Sequence, residues 1–238
     1  AHAEEGWVEL RDAQVTYERR SEGGSLRTHG LTASLTLKDL ALTEPWAPQP
    51  MLRARRVRVP GLAVDLVKQR TDLGAIQVDD WQALVLRDAE QLHVPLTTGA
   101  PEAAPSSWHT DLDRVSLGNG VATLRGVLAV PEVTIPVSRG TIRLPAAGVD
   151  FSFAGTLAGG KLTLDGTVRG NDTHLAFGLE DLSVAESAPF VGSPLTFAKG
   201  RISGTVNLAL GAATATYRAQ VTSTDVTTAP SAAHPEEI

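Results

Sequence analysis

The chain has 238 residues, 42% hydrophobic and 20% charged, enough to bury a real core as one large all-β domain or two smaller ones. A net charge of −6 excludes the basic field that nucleic-acid binding needs, and 5% aromatics leaves little for base or sugar stacking. The absence of cysteine excludes disulfides, thiolate catalysis and Cys-ligated zinc together.

No apolar run approaches the roughly 18 residues that span a bilayer, so no transmembrane segment is expected. No signal peptide opens the chain, although AHA at residues 1–3 fits the remainder of a processed site.

Residues 1–96 read as a first β region. In LTASLTL (31–37), Leu31, Ala33, Leu35 and Leu37 fall on one face, and Thr32, Ser34 and Thr36 on the other. Three prolines around Trp46 make residues 44–50 a covering loop. LRARRVRVP (52–60) concentrates Arg53, Arg55, Arg56 and Arg58. These suit contact with anionic lipid headgroups, or equally a strand edge guarded by charge. VDDWQALVLRDAEQ (78–91) reads as a strand, since Trp81, Ala83 and Val85 alternate with Gln82, Leu84 and Leu86; a helix is the alternative.

TTGAPEAAPSS (97–107) is a Pro/Ala/Ser linker or long loop, followed by a second β region over 108–226. Gly118-Asn119-Gly120 and Gly170-Asn171-Asp172 are turn signals. In GVDFSFAGTL, Phe151 and Phe153 share a face; in GKLTL, Leu162 and Leu164; in RISGTVNLAL, Ile202, Val206 and Leu208; in ATYRAQV, Tyr217, Ala219 and Val221. Residues 186–191 are the other helical candidate, and residues 227–238 read as a disordered tail. GTIRL, GKLTL and GRISG start at residues 140, 160 and 200, a spacing that suggests a repeat.

Catalytic equipment is hard to find. The six histidines form no zinc-binding helix pair, and no nucleophile elbow or phosphate-cradling glycine loop occurs. His109, in WHTDLD beside Asp111 and Asp113, reads as a polar strand edge ahead of a metal or acid/base cluster. The neighbours Asp79-Asp80 and Glu180-Asp181 should point to opposite faces of their strands and so cannot converge on one substrate. The chain is expected to be non-enzymatic, with no cofactor and no metal.

LDRVSLGNGVATLRGVLAVPEVTIPVSRGTIRL (112–144) and LEDLSVAESAPFVGSPLTFAKGRISGTVNLALGAATATYRAQV (179–221), the latter with its Pro189-Phe190 corner, together resemble the AsmA-like group of bacterial envelope proteins, whose relatives include TamB. The resemblance covers mainly 107–226, and 7–42 more loosely; Arg125-Gly126 departs from the acidic residue such units carry. It implies a fragment or short member of a periplasmic, cell-envelope family. The implied fold is an elongated or curled antiparallel sheet with an apolar concave face, in two sub-regions.

The implied function is binding or transfer of phospholipid or another acyl-chain lipid, or outer-membrane maintenance and biogenesis, with envelope protein partners. A sheet apolar on one face must cover that face. The expected lining is Leu31, Leu35, Leu37, Phe151, Phe153, Leu162, Leu164, Ile202, Val206 and Leu208. The alternatives are the dry core of a closed β-sandwich, and a structural, scaffolding β-domain in a larger assembly.

Overall fold

The alternating pattern is realised as strand almost throughout, in an all-β protein. The structure is a computed structural model. It describes the backbone of residues 2–3, 7–18 and 27–229, apart from 44–46, 48, 67, 88–91, 94–107, 146, 194 and 213. Side chains are described from Thr32 onward, Leu92 excepted. Trp46, the proline loop around it, the 97–107 linker and residues 230–238 therefore lie wholly or largely outside the described residues.

The strands in chain order are β1 (His2–Ala3), β2 (Trp7–Glu18), β3 (Arg27–Thr43), β4 (Leu52–Asp65), β5 (Arg70–Arg87), β6 (Leu92–His93), β7 (His109–Leu117), β8 (Gly120–Arg125), β9 (Glu132–Arg143), β10 (Val149–Leu157), β11 (Gly160–Arg169), β12 (Asp172–Ser183), β13 (Phe197–Leu210) and β14 (Ala215–Thr228). Residues 78–87 belong to β5, so their β-branched and aromatic alternation prevails over the helical reading. A helical turn α1 (Val184–Ser187) runs into a 3-10 turn over Ala188–Val191, close to the short helical piece expected there.

The chain divides into two compact units: residues 1–82 with 95–118, and residues 83–94 with 119–238. In the first, β2, β3, β4, β5 and β7 lie side by side; β7 runs parallel to β5, and β2–β3 and β3–β4 are antiparallel. Its core is built by Ala33, Met51, Ala54, Val57, Val59 and Trp81, all buried. The indole Nε1 of Trp81 donates to the Gly118 carbonyl at 2.9 Å, which ties the end of β7 to that core.

The second unit places β8 to β14 in one antiparallel meander, each strand beside its sequence neighbour. A closed sandwich needs two sheets, and these seven strands form one. The helical turn is capped by Ser183, whose hydroxyl accepts from the Glu186 amide, and it stops at Gly192 with φ 64. Val184 and Ala188, like Leu182, are buried, and α1 packs on β12 and β13 at one end of the sheet.

The glycines at 140, 160 and 200 are not equivalent: one is mid-strand in β9, one opens β11, and one sits at φ 136 inside β13. The recurring element is a different one. Asp39, Asp80, Asp181 and Asp225 adopt φ between 51 and 58 within β3, β5, β12 and β14. Aspartate tolerates this left-handed conformation because its side chain can bond locally. At Asp181 and Asp225 the register also shifts, a β-bulge that inserts an extra residue and, in β12, returns Leu179 and Leu182 to one face; at Asp39 the register with β4 runs on unbroken, Lys38 with Arg56 and Leu40 with Ala54.

Candidate functional site

In an antiparallel sheet, directly paired residues lie on the same face. The register of the second unit can therefore be read across its strands. Ile142, Phe151, Gly166, Leu175, Leu208 and Tyr217 form one row. Gly140, Phe153, Leu164, Phe177, Val206 and Ala219 form the next. Val137, Gly155, Leu162, Leu179, Gly204 and Val221 form a third. The intervening rows are polar; one runs Thr141, Ser152, Asp165, Ala176, Asn207 and Arg218.

Seven of the ten expected lining residues thus fall on one face of one unit: Phe151, Phe153, Leu162, Leu164, Ile202, Val206 and Leu208. All seven are only half-buried. Leu35 and Leu37 belong to the other unit, paired with Val59 and Val57 of its buried core. The side chain of Leu31 lies outside the described residues.

Coverage of the apolar face is graded along the strands. At the α1 end Leu182 is 2% exposed and Val184 8%, whereas at the far edge Tyr217 is 81% exposed. Toward that far end, an open depression of about 610 Å³, within the usual size range of ligand sites, is bordered by the row from Phe151 to Tyr217 and also by Asp165, His174, Asn207 and Arg218 of the flanking polar rows. Gly166 is among its lining residues. A β-carbon there would lie 2.1 Å from the Phe151 ring, so the missing side chain lets the ring settle flat onto the neighbouring strand. Phe151 and Phe153 stand with centroids 5.9 Å apart, a tilted aromatic pair on the same face.

Phe177, Leu175 and Tyr217 also line this face but were not among the expected lining. Their signal was present in strand parity: Gly166 continues the phase of Leu162 and Leu164, and the paired strand must repeat it.

The arginines of β4 form a separate site in the first unit, and all four are exposed. Arg58 binds Asp79 at 2.8 Å and Arg55 lies 3.9 Å from Asp80. Arg53 and Arg56 have no carboxylate partner among the described residues. Arg53 and Arg55 border a second open depression of about 570 Å³ with Asp39 and Asp80, so the local charge is mixed.

The neighbouring carboxylates correct the expectation that adjacent strand residues cannot act on one side. With the left-handed backbone at Asp80, Asp79 and Asp80 both reach arginines of β4, and the bulge at Asp181 lets Glu180 bind Lys161 at 2.8 Å while Asp181 lies 3.9 Å from Arg201. All four lie beside cations. Glu180 holds the Lys161 ammonium above its ordinary pKa, through the hydrogen bond first and through its charge second.

His109 lies 3.2 Å from Asp111, which also accepts from Arg70, and its side chain is exposed. No group of three potential metal ligands occurs among the described residues. No helix among them is long and apolar enough to cross a membrane. Compared with protein-family models, curated proteins and solved structures, the chain has no match.

Proposed function

We propose that this is a non-enzymatic cell-envelope protein that holds acyl chains of phospholipid or a similar lipid against the apolar face of its second unit. Its place is the periplasm, in lipid transfer or outer-membrane maintenance of the AsmA-like kind. The observation that carries the reading is the three-row apolar face. Phe151, Phe153, Leu162, Leu164, Val206 and Leu208 alternate strictly with polar residues, yet none is sealed by the protein's own packing. An aliphatic chain laid along such a row gains about 0.8 kcal/mol for each methylene it buries, without any directed polar contact. The open end of the face, away from Val184 and Leu182, gives the chain its way on and off. In the first unit, and independently of that face, Arg53 and Arg56, free of carboxylate partners among the described residues, suit contact with anionic headgroups.

The test is organic extraction and lipid mass spectrometry of the purified protein, with native mass spectrometry of the intact sample. Stoichiometric phospholipid, lost in a folded Phe153→Asp/Leu164→Asp variant, supports the reading. A lipid-free sample that also takes up none from vesicles sinks it. The scaffolding reading then stands, and the feature that favours it is the open strand edge of β14.

A further inference from the structure

We infer that the free edge of β14 is a self-association surface, on which a second copy of the chain pairs β14 with β14 in antiparallel sense. This does not rest on the lipid reading and is tested on delipidated protein.

β14 is 14 residues long and, among the described strands, pairs only with β13. Every residue along it is exposed, so one side of its backbone presents an unpaired row of amides and carbonyls. Its sequence, ATYRAQVTSTDVTT, contains no proline, glycine or lysine, and β-branched residues and tyrosine favour pairing. Natural edges are usually short or guarded by lysine, proline or bulges. The guards here are sparse: one cation, Arg218, one anion, Asp225, and the bulge at Asp225 near the end of the strand.

The charges on β14 select the occupant. Inner strands of this unit set opposite charges beside each other across the ladder: Arg125 with Glu132, Arg169 with Asp150, Lys161 with Glu180. β14 carries one cation near its start, Arg218, and one anion near its end, Asp225, and neither has an ion-pair partner among the described residues. A strand with opposite charges at its two ends is complementary to itself when antiparallel and repulsive to itself when parallel.

A two-fold axis through Val221 completes the match. It sets Val221 against its own copy, and Arg218 opposite Thr224 and next to Asp225 of the second copy (218 + 224 = 2 × 221). This register keeps residues of equal parity together, so the two apolar faces stay on the same side. Tyr217 and Val221, the most exposed ends of the apolar rows, then gain cross-strand neighbours. Paired two-fold dimers are also the commonest closed assembly.

The experiment is sedimentation velocity of the full chain over a wide concentration range. A concentration-dependent dimer is expected. Arg218→Glu puts like charges together twice across the axis and weakens the dimer about tenfold. Asp225→Asn keeps a residue that tolerates the left-handed backbone, removes the charge, and weakens it severalfold. Arg218→Glu with Asp225→Lys exchanges the two signs and recovers most of the affinity. Monomer at every concentration overturns the inference and leaves the edge to an unlike strand. So does a dimer indifferent to all three changes.

Discussion

The strands β3–β4–β5 of the first unit and β12–β13–β14 of the second are written with the same device, and they end differently. Each triplet has a left-handed aspartate on both outer strands and an arginine between them: Asp39, Arg55 and Asp80 in one, Asp181, Arg201 and Asp225 in the other. After the last aspartate comes an apolar residue, Trp81 in one and Val226 in the other. Trp81 is 5% exposed; Val226 is 40% exposed. The difference is a neighbour. β5 has β7 on its far side and Trp81 bonded to Gly118 at the end of it, while β14 has no strand on its far side among the described strands. The same local chemistry thus gives a sealed core where one more strand is supplied and an open surface where it is not.

The largest expected break in this comparison comes from truncating the equivalent residues. Trp81→Ala should cost about 3–5 kcal/mol of unfolding free energy, whereas Val226→Ala should cost less than about 1 kcal/mol. Urea denaturation measures both, and equal losses would mean that β14 is covered after all.

Next in size is Gly160, which lies against the Asp181 bulge. An added β-carbon would sit 2.6 Å from the Glu180 and Asp181 carbonyls and the Leu182 amide, all backbone atoms that cannot rotate away. Gly160→Ala should therefore destabilise by about 1–3 kcal/mol. Wild-type stability in that variant would show that the bulge is soft.

The left-handed aspartates separate backbone from charge. Asp80→Asn and Asp181→Asn keep a residue suited to the left-handed conformation and lose only an exposed ion pair, at a cost of about 0.5 kcal/mol or less. Asp80→Val and Asp181→Val force a branched residue into that conformation and should cost about 1–2 kcal/mol more. If the Asn and Val variants lose equally, the ion pairs rather than the left-handed backbone set these positions.

The smallest effect is the pH response of Lys161. Its pKa is raised in the folded state, so its contribution is fully present below the ordinary lysine pKa and is lost as pH rises through the raised value. Wild type should shed a slight increment of stability only in that alkaline window. Lys161→Met, followed by thermal denaturation against pH, should remove the increment and leave neutral-pH behaviour unchanged.

Much of this was legible before the fold. Alternation named the strands, and it named which of Phe151, Phe153, Leu162, Leu164, Val206 and Leu208 would share a face, because side chains alternate with a period of two whatever a strand pairs with. Gly170-Asn171-Asp172 named the β11–β12 hairpin, whereas Gly118-Asn119-Gly120 joins β7 to β8, which pair with β5 and β9 and not with each other. The bulges were not legible: a two-residue carboxylate run such as Glu180-Asp181 reads as one residue up and one down until a left-handed φ places both outward. Nor was the fate of Leu35 and Leu37, which carry the same alternation as Leu162 and Leu164 but pair with the buried Val59 and Val57.

The sequence by itself determined that each strand has a dry side and a wet side, since that follows from residue order within one strand. Only the tertiary structure decided which dry sides are sealed. Sealing depends on how many strands lie alongside and on register across them, and those contacts join residues too far apart in the chain for any local pattern to encode.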